Sequence, residues 1–320
     1  MERTEERRLV LVLGSGCAGL AAAIYLARAG LEPLVLDGGQ RGGQLASTGM
    51  VENFPGFPEG IGGYELTENM RRQAERFGAR FAGNAATRLT LSGEEKVLEC
   101  TGKSYRCRAL VVATGSSSCK LDVPGEMEYF GGRGVSTCAT CDGAFYRGKV
   151  VTVVGGGDSA AEEALFLTRF CEKVHLIHRR DSLRASKIMA ERVLANGKIA
   201  PIWNSAVERI VGDGKVVTGL ILRGVASGEA TDLACSGVFV SIGHRPNSDF
   251  AADALGRDGH GYFVGLPPDG VCSAVPGIFF AGDCADPIYR QAVIAAGTGA
   301  RAAIAAERWL LASEKFSGSF

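Results

Sequence analysis

The stretch LVLVLGSGCAGL, Leu9–Leu20, decides the fold class of this 320-residue chain. Its first five residues, Leu9–Leu13, are a continuous apolar run of the kind found in strands buried on both faces. The turn from Gly14 to Gly19 follows, and a helical pattern continues from Leu20 to Ala29. A G-x-G-x-x-G turn between a strand and a helix is the sequence pattern of a dinucleotide-binding βαβ unit. We therefore predict an α/β protein with a parallel sheet.

The same unit occurs twice. Val150–Val154, a turn that starts at Gly155 and a helical stretch repeat the first arrangement. In the first unit Asp37, at the end of the second strand, lies 23 positions after Gly14, and His178 likewise lies 23 positions after Gly155. The sequence therefore predicts two Rossmann-like dinucleotide-binding domains.

Each unit has a later companion strand, Ala109–Ala113 for the first and Val238–Ile242 for the second. The simplest topology inserts the second unit into the first. We predict that residues 1–117 and 245–320 form one domain and that residues 118–244 form the other.

The two strand-end residues predict different ligands. Asp37 is a carboxylate suited to the ribose hydroxyls of an adenosine, as in FAD or NAD. His178 is followed by Arg179 and Arg180, with Arg184 close behind, and such a cluster fits a ribose 2′-phosphate. The second site is therefore predicted to select NADPH over NADH. Alternatives are a tight turn without a ligand in each unit and a solvated basic face at the arginines.

One Cys-X-X-Cys, Cys138-Ala139-Thr140-Cys141, precedes the second glycine turn and is followed by Asp142. Two thiols at this spacing can attack a partner disulfide and resolve the mixed disulfide, and an adjoining carboxyl can move the accompanying proton. A structural zinc site is the main rival, but it needs four ligands, and no second cysteine or histidine pair has a matching spacing. We predict a redox pair and no metal.

The charge balance excludes several classes of partner. Lys+Arg and Asp+Glu both number 35, which gives no bias toward nucleic acid or a membrane surface. Arg7-Arg8 before an apolar run resembles a signal peptide, but Glu2, Glu5 and Glu6 and the glycines of the turn argue against one. We expect a soluble, cytoplasmic protein. Most of its eight other cysteines are predicted to be small core residues.

Together these segments resemble the low-molecular-weight, bacterial-type thioredoxin reductases, which are class II pyridine nucleotide-disulfide oxidoreductases. The resemblance covers essentially the whole chain. The segments that carry it are Gly14–Gly19, Gly42-Gly43-Gln44-Leu45, Val51-Glu52-Asn53-Phe54-Pro55-Gly56, Cys138–Tyr146, Gly155–Ala164, Val174–Arg180 with Arg184, and Gly282-Asp283 with Tyr289-Arg290-Gln291-Ala292. Cys17 and Cys284 depart from the common pattern without removing a needed donor or acceptor.

The resemblance implies a homodimeric flavoenzyme with three-layer ββα domains that passes electrons from NADPH through FAD and the Cys138/Cys141 pair to thioredoxin. In this family Cys141 is nearest the flavin, Cys138 attacks the partner and Asp142 is the proposed acid. The predicted FAD-binding residues are Gly14, Gly16, Ala18, Gly19, Asp37, Gly43, Gln44, Leu45, Asn53, Thr114, Gly115, Gly282, Asp283, Arg290, Gln291 and Ala292. The predicted NADPH-binding residues are Gly155, Gly157, Asp158, Ser159, His178, Arg179, Arg180, Arg184, Ile242 and Gly243.

The resemblance also implies that the inserted domain rotates, with hinges at Gly115–Ser118 and Gly243–Asn247. Two other functions stay open. A peroxiredoxin-type or glutaredoxin-like protein can replace thioredoxin, with electrons from NADPH or another source, and a non-catalytic flavin-binding module or redox sensor is the third hypothesis. The tail ending at Phe320 is either frayed, which we favour, or an aromatic cover for the flavin or the partner site.

Overall fold

A computed structural model describes residues 4–48 and 50–317 of the chain. The chain divides into two compact units: the first holds the residues up to Ser117 and those from Arg245 onward, and the second holds Ser118–His244. The prediction for Phe320 lies outside the described residues. Within these limits, no helix has both the length and the apolar character that a bilayer crossing requires.

The strands, in chain order, are β1 (Thr4–Leu13), β2 (Leu34–Leu36), β3 (Met50–Val51), β4 (Ile61–Gly62), β5 (Arg80–Ala82), β6 (Ala86–Ser92), β7 (Glu95–Cys100), β8 (Lys103–Val112), β9 (Ser116–Ser118), β10 (Val135–Ser136), β11 (Val150–Val154), β12 (Lys173–Ile177), β13 (Ile199–Ile202), β14 (Ser205–Gly212), β15 (Val217–Gly224), β16 (Ala230–Ala234), β17 (Gly237–Val240), β18 (His244–Pro246) and β19 (Ile278–Phe280). The α-helices are α1 (Cys17–Arg28), α2 (Gly63–Arg76), α3 (Ala139–Asp142), α4 (Asp158–Leu167), α5 (Lys187–Ala195) and α6 (Ala292–Ser317). Short 3₁₀ helices cover Gln44–Ser47, Gly143–Tyr146, Asp249–Ala251 and Gly282–Cys284.

The first unit is built on a sheet of order β5-β2-β1-β8-β7-β6. β5, β2, β1 and β8 run parallel, β19 pairs in parallel with the last residues of β8, and the β6–β7 hairpin continues the sheet antiparallel. Side chains alternate along β1, so Val10 and Val12 pack toward α1 and α6, whereas Leu11 and Leu13 pack on the opposite face, in a core that includes Leu89 of the hairpin. Three layers result.

The second unit repeats this design. Its five-stranded sheet has the order β10-β17-β11-β12-β13 and is parallel throughout. Val151 and Val153 face α4 and α5, and Val154 faces the antiparallel sheet β14-β15-β16. The predicted fold class, two Rossmann-like three-layer domains, is confirmed.

Element boundaries differ from the predictions where polar residues take part. β1 begins at Thr4 rather than Leu9, because residues 4–8 pair with residues 103–107 of β8. Glu5 pairs with Arg106 there and Glu6 with Lys103. The first helix begins at Cys17, three residues before the apolar pattern, because the glycine turn itself forms its first turn.

Candidate active site

The first glycine turn, between β1 and α1, is a backbone cradle. Gly14 has a φ of +106°, and a Cβ there would collide with the Ala113 carbonyl oxygen. A Cβ on Gly19 would collide with the Gly14 carbonyl oxygen. A Cβ on Gly16 would instead face open space, with the nearest described atom, the Cα of Gly43, 4.0 Å away. The cradle is thus open at Gly16, where a phosphate can reach the N-terminus of the 12-residue α1.

Asp37, directly after β2, is held by an arginine that the sequence analysis did not identify. Arg71 Nη1 donates to both carboxylate oxygens of Asp37, at 3.0 and 3.1 Å. The Arg71 guanidinium also stacks on the Phe81 ring, 3.7 Å from its centroid, and its Nε donates to Glu75. The Asp37 carboxylate is therefore fixed in place while its remaining lone pairs can accept bonds from hydroxyl groups.

Residues from both ends of the first unit meet near this cradle. Gln44 Nε2 donates to the Ser116 carbonyl. Asn53 Nδ2 donates to Gln291 Oε1 at 3.3 Å, across 238 residues of sequence. Gln291 directly precedes α6, which begins at Ala292. The structure thus brings together amide side chains that the sequence analysis assigned to one ligand. Leu45, also in that set, is half-buried beside Gln44.

Asp283 follows β19 and is the most perturbed carboxyl of this region. Burial raises its pKa to about 6, with the charge of Asp286 adding to the rise and that of Arg290 opposing it. Gly282, with a φ of +71°, lies so close to α1 that a Cβ on it would be 2.9 Å from the Ala18 Cβ. A mostly buried carboxyl at the end of a parallel strand is suited to accept hydrogen bonds from a sugar-like chain.

The two chain crossings between the units are short paired strands, β9 and β18. Thr114 and Gly115 end the β8 segment just before β9. Asn247 Nδ2 donates to the Thr114 carbonyl, and Ser117 Oγ donates to Asn247 Oδ1, each at 2.9 Å. Among the described residues the buried Ser116 hydroxyl has no hydrogen-bond partner, so it retains the capacity to bind a ligand group.

The second glycine turn lies between β11 and α4 and resembles the first. A Cβ on Gly155 would collide with the Ser241 carbonyl oxygen. A Cβ on Gly156 would collide with the imidazole ring of His178. At Gly157 a Cβ would have no described atom within 4 Å. The open position again precedes a helix, the ten-residue α4, whose first residues are Asp158 and Ser159.

His178 lies inside the protein rather than beside the arginines in solvent. The residue is 5% exposed, and its ring meets the edge of Trp203 with 6.5 Å between centroids. Burial lowers its pKa, and the charges of the neighbouring arginines lower it further. Its Nε2 has no hydrogen-bond partner in the described part of the chain. A neutral His178 can hydrogen-bond a ligand, but positive charge has to come from the arginines.

The arginine segment after β12 is fixed to the second glycine turn by two backbone contacts. The Arg184 amide donates to the Gly156 carbonyl at 2.7 Å, and the Ser186 amide donates to Asp158 Oδ1 at 2.8 Å. These bonds to Ser186 also lower the pKa of Asp158. The exposed arginines held beside the turn in this way are Arg179, Arg180 and Arg184.

The residues that follow β17 lie at the same edge of the second sheet as the second glycine turn. Ile242 is 39% exposed there, and Gly243 follows with a φ of +113°. The Gly243 carbonyl accepts a bond from the Cys119 amide at 2.9 Å, which ties the two crossings together.

Cys138 and Cys141 are joined by a disulfide bond, and both are partly exposed. Cys138 is the N-cap of the four-residue α3, and its Sγ accepts a hydrogen bond from the Cys141 amide at 3.2 Å. Burial raises the pKa of Asp142, the last residue of this helix, and a hydrogen bond from Ser136 opposes the rise. A reducible sulfur pair thus lies beside a carboxyl whose proton affinity is increased.

Within residues 4–48 and 50–317, no group of three or more His, Cys, Asp or Glu side chains is placed to hold a metal ion.

Comparisons with known proteins agree with this geometry. The family model of pyridine nucleotide-disulphide oxidoreductases matches residues 8–299. A thioredoxin reductase of Mycolicibacterium smegmatis is 50% identical over 301 residues, which cover 94% of this chain and 96% of that protein. The chain belongs to this family, among the low-molecular-weight thioredoxin reductases. As a member, it is an oxidoreductase, and the predicted family is confirmed.

Two further relatives of this thioredoxin reductase family extend the comparison. A Mycobacterium leprae protein named bifunctional thioredoxin reductase/thioredoxin is 50% identical over 302 residues, but the chain spans only 65% of that relative's length and 94% of its own. The crystal structure of thioredoxin reductase from Streptococcus pyogenes superposes with a TM-score of 0.90 at 38% identity, covering 96% of this chain and 99% of that one.

Against that family background, Arg71, Ser136 and Trp203 are the site residues that sequence reasoning missed. Arg71 and Trp203 lie on segments that are distant in sequence from the motif residues that they contact. Ser136 lies outside the fixed spacing of the Cys-X-X-Cys motif. Arg71 is 34 residues from Asp37, and Trp203 follows β13 while His178 follows β12. Ser136 lies two residues before Cys138, where the Cys-X-X-Cys pattern carries no information.

Proposed function

We propose that the chain is an NADPH-dependent flavoenzyme that reduces the disulfide of thioredoxin through FAD and the Cys138/Cys141 pair. The observation that carries this proposal is the disulfide beside a perturbed carboxyl, in the same unit as a glycine turn flanked by three arginines. The other unit has a second glycine turn with a carboxylate at its strand end. This is the set of parts that a two-nucleotide electron relay to a disulfide requires.

The choice of NADPH is supported by the charges at the second turn. Arg184 is fixed there through its own amide, and Arg179 and Arg180 are exposed directly after His178. Planar guanidinium groups bind phosphate oxygens with paired, charge-assisted hydrogen bonds. We infer that these residues bind the 2′-phosphate and that the neutral His178 adds a hydrogen bond.

The choice of FAD is supported by the fit of the first turn. Gly16 leaves room for a pyrophosphate at the α1 N-terminus, and Asp37 presents free lone pairs for ribose hydroxyls. Asp283 and the Ser116 hydroxyl, which has no hydrogen-bond partner among the described residues, offer further buried polar groups. FAD and NADPH, when bound, would supply the hydride acceptor and donor of the reaction.

The dithiol half-reaction uses this chain's own residues. In the reduced protein the Cys138 thiolate attacks one sulfur of the partner disulfide, and the partner's other sulfur leaves with the electron pair of the broken bond. The Cys141 thiol then loses its proton and attacks Cys138 in the mixed disulfide. The enzyme disulfide forms again, and the partner leaves with two electrons and two protons. Asp142 holds the proton in transit.

The hinge proposal is supported by the two short paired crossings, β9 and β18. Gly115 and Gly243 both have positive φ values, +66° and +113°, which glycine adopts without strain. We infer that Gly115–Ser118 and Gly243–Asn247 absorb a rotation of the inserted unit. Homodimer formation and a cytoplasmic location remain predictions that come from the family resemblance and the composition.

One experiment tests the whole proposal. The purified protein should be yellow, should lose its colour with NADPH but not with NADH in the absence of air, and should reduce a thioredoxin catalytically. Cys138→Ser should abolish thioredoxin reduction and leave bleaching by NADPH intact. A colourless protein that takes up no flavin would contradict the proposal, as would full turnover by the serine variant.

A further inference from the structure

Thr298, on α6, makes a polar contact that holds the turn carrying Asp283. The Gly282 amide donates to Thr298 Oγ1 at 2.9 Å, and the same hydroxyl donates to the Ala295 carbonyl, also at 2.9 Å. Gly282 is buried and directly precedes Asp283. Because the hydroxyl gives its one proton to the helix, its lone pairs are left to accept the Gly282 amide. Thr298 therefore fixes the backbone at the point where the Asp283 turn begins.

The hydrogen bonds of Thr298 belong to a longer chain of such bonds in the first unit. The Ala295 amide donates to the Gln291 carbonyl at 2.8 Å, and Gln291 Oε1 accepts from Asn53 Nδ2 at 3.3 Å. Through the Ala295 carbonyl, Thr298 connects this chain to the turn that carries Asp283. Asp283, Gln291 and Asn53 are all among the predicted FAD-binding residues. A continuous series of hydrogen-bonded groups thus links them, and Thr298 supplies the step that reaches Asp283.

The backbone around this hydroxyl is closely packed. A Cβ on Gly299, the next residue of α6, would lie 2.0 Å from the Ala18 carbonyl oxygen of α1. A Cβ on Gly282 would lie 2.9 Å from the Ala18 Cβ. The helices α1 and α6 and the turn after β19 therefore meet at one junction. Because the Gly282 amide is buried there, removing the Thr298 hydroxyl either leaves that N–H unpaired or displaces the turn.

Building on the proposed function, we propose that Thr298 is a positioning residue of the flavin site: its hydroxyl holds the turn at Gly282 so that the Asp283 carboxyl is presented to FAD in one fixed place relative to α6. Thr298 acts through Asp283 rather than by binding the cofactor itself. Its branched Cβ suits this role, because β-branched side chains have few χ1 rotamers and the hydroxyl keeps its direction. FAD affinity should therefore depend on the hydroxyl, and only while Asp283 is present.

The test measures FAD binding by the full chain after its flavin has been removed. FAD is titrated into the flavin-free protein, and the change in flavin fluorescence gives the affinity. The variants are Thr298→Val, which has nearly the same shape without the hydroxyl, and Thr298→Ser, which keeps the hydroxyl. Both are also made in an Asp283→Asn background. Thr168→Val is the matched control, because Thr168 Oγ1 at the end of α4 likewise donates to the carbonyl three residues earlier, that of Leu165, at 2.7 Å.

We expect Thr298→Val to weaken FAD binding by about tenfold or more, since a buried N–H loses its acceptor and the Asp283 turn shifts. Thr298→Ser and Thr168→Val should both stay within about threefold of wild type. In the Asp283→Asn background Thr298→Val should cost less than about threefold, because no carboxylate is left for it to position. Equal losses from Thr298→Val in the two backgrounds would refute the positioning role.

These outcomes separate the inference from the proposed function. A wild-type chain that takes up no flavin would overturn the proposed function and this inference with it. A wild-type chain that binds FAD no more tightly than Thr298→Val would overturn the inference alone. If the valine variant does not fold, Thr298→Ala and Thr298→Ser, which differ only in the hydroxyl, give the same comparison.

Discussion

Arg71 Nη1 lies 3.0 and 3.1 Å from the two carboxylate oxygens of Asp37, and the side chains are 13% and 10% exposed respectively. An ion pair this close to full burial makes each partner depend on the other, because either charge left alone would be poorly hydrated. Phe81 lies under the guanidinium and fixes its orientation. The carboxylate that would receive ribose hydroxyls is therefore oriented before any ligand binds.

Arg71→Met should consequently destabilise the first unit. The substitution keeps the packing volume but leaves Asp37 without its cation, and we expect a loss of about 2–3 kcal/mol in the free energy of unfolding, measured with urea. Arg72→Met, at the exposed neighbouring position, should change it by less than about 0.5 kcal/mol. Adding Asp37→Asn to Arg71→Met should recover part of the loss. Equal stability of the Arg71 and Arg72 variants would contradict this account.

Asp283 should make stability fall as the pH rises. Its folded pKa of about 6 lies above the unfolded value of about 3.9, so between these values the native state binds more protons than the unfolded state. The resulting stabilisation is complete below about pH 4 and is lost by about pH 6 to 7. In the flavin-free protein, Asp283→Asn should remove this part of the pH dependence.

The measurement is the guanidinium midpoint at pH values from 4 to 7. The wild-type protein should lose stability relative to Asp283→Asn by up to about 2 kcal/mol across that window. Asp253→Asn, which alters an exposed carboxyl of the same unit, should keep the wild-type slope. A parallel pH dependence for wild type and Asp283→Asn would show that Asp283 titrates as it does in the unfolded chain.

The arginine segment should determine the choice between the two nicotinamide nucleotides. Arg180→Gln and Arg184→Gln each remove a charged donor, and we expect each to weaken NADPH binding by about tenfold or more without affecting NADH binding. Anaerobic titration of the flavin absorbance gives both affinities. Arg192→Gln, on the exposed side of α5, is the matched control. Equal losses for NADPH and NADH would place these arginines outside the 2′-phosphate site.

The sequence alone predicts those features of the fold that depend on residues close together in the chain. Val150–Val154 was predicted to the residue because an apolar run encodes a buried strand by itself. The first half of β1 was missed because Glu5 and Glu6 look unlike a buried strand. Their pairing with Arg106 and Lys103 of β8 makes that conformation favourable, and it is visible only once the two strands are side by side.

The residues of the candidate site likewise divide into those that the sequence predicts and those that it does not. The spacing from Gly155 located His178 at the strand end, but spacing does not determine which way a side chain points. The His178 ring points inward and lies against Gly156, and the spacing of the repeated motif does not predict this contact. Arg71 was missed because helix α2 brings it to Asp37, and neither residue marks the other in the sequence.

The contact between Gly156 and His178 gives the sharpest prediction. Gly156→Ala would place a methyl group 2.2 Å from the buried imidazole, so the ring, which meets the edge of Trp203, has to shift. We expect a loss of about 1–3 kcal/mol in the free energy of unfolding, as for an overpacked core. Adding His178→Ala should restore much of that loss, because the methyl group then occupies space that the ring has left.

Gly157→Ala is the matched control for this pair, since a Cβ at Gly157 meets no described atom within 4 Å. Its stability should stay within about 1 kcal/mol of wild type. The same methyl group would nevertheless stand at the open side of the turn, so NADPH binding should weaken by tenfold or more. Full NADPH affinity in Gly157→Ala would mean that the pyrophosphate does not bind at this turn. Additive stability losses from Gly156→Ala and His178→Ala would mean that the ring does not rest on Gly156.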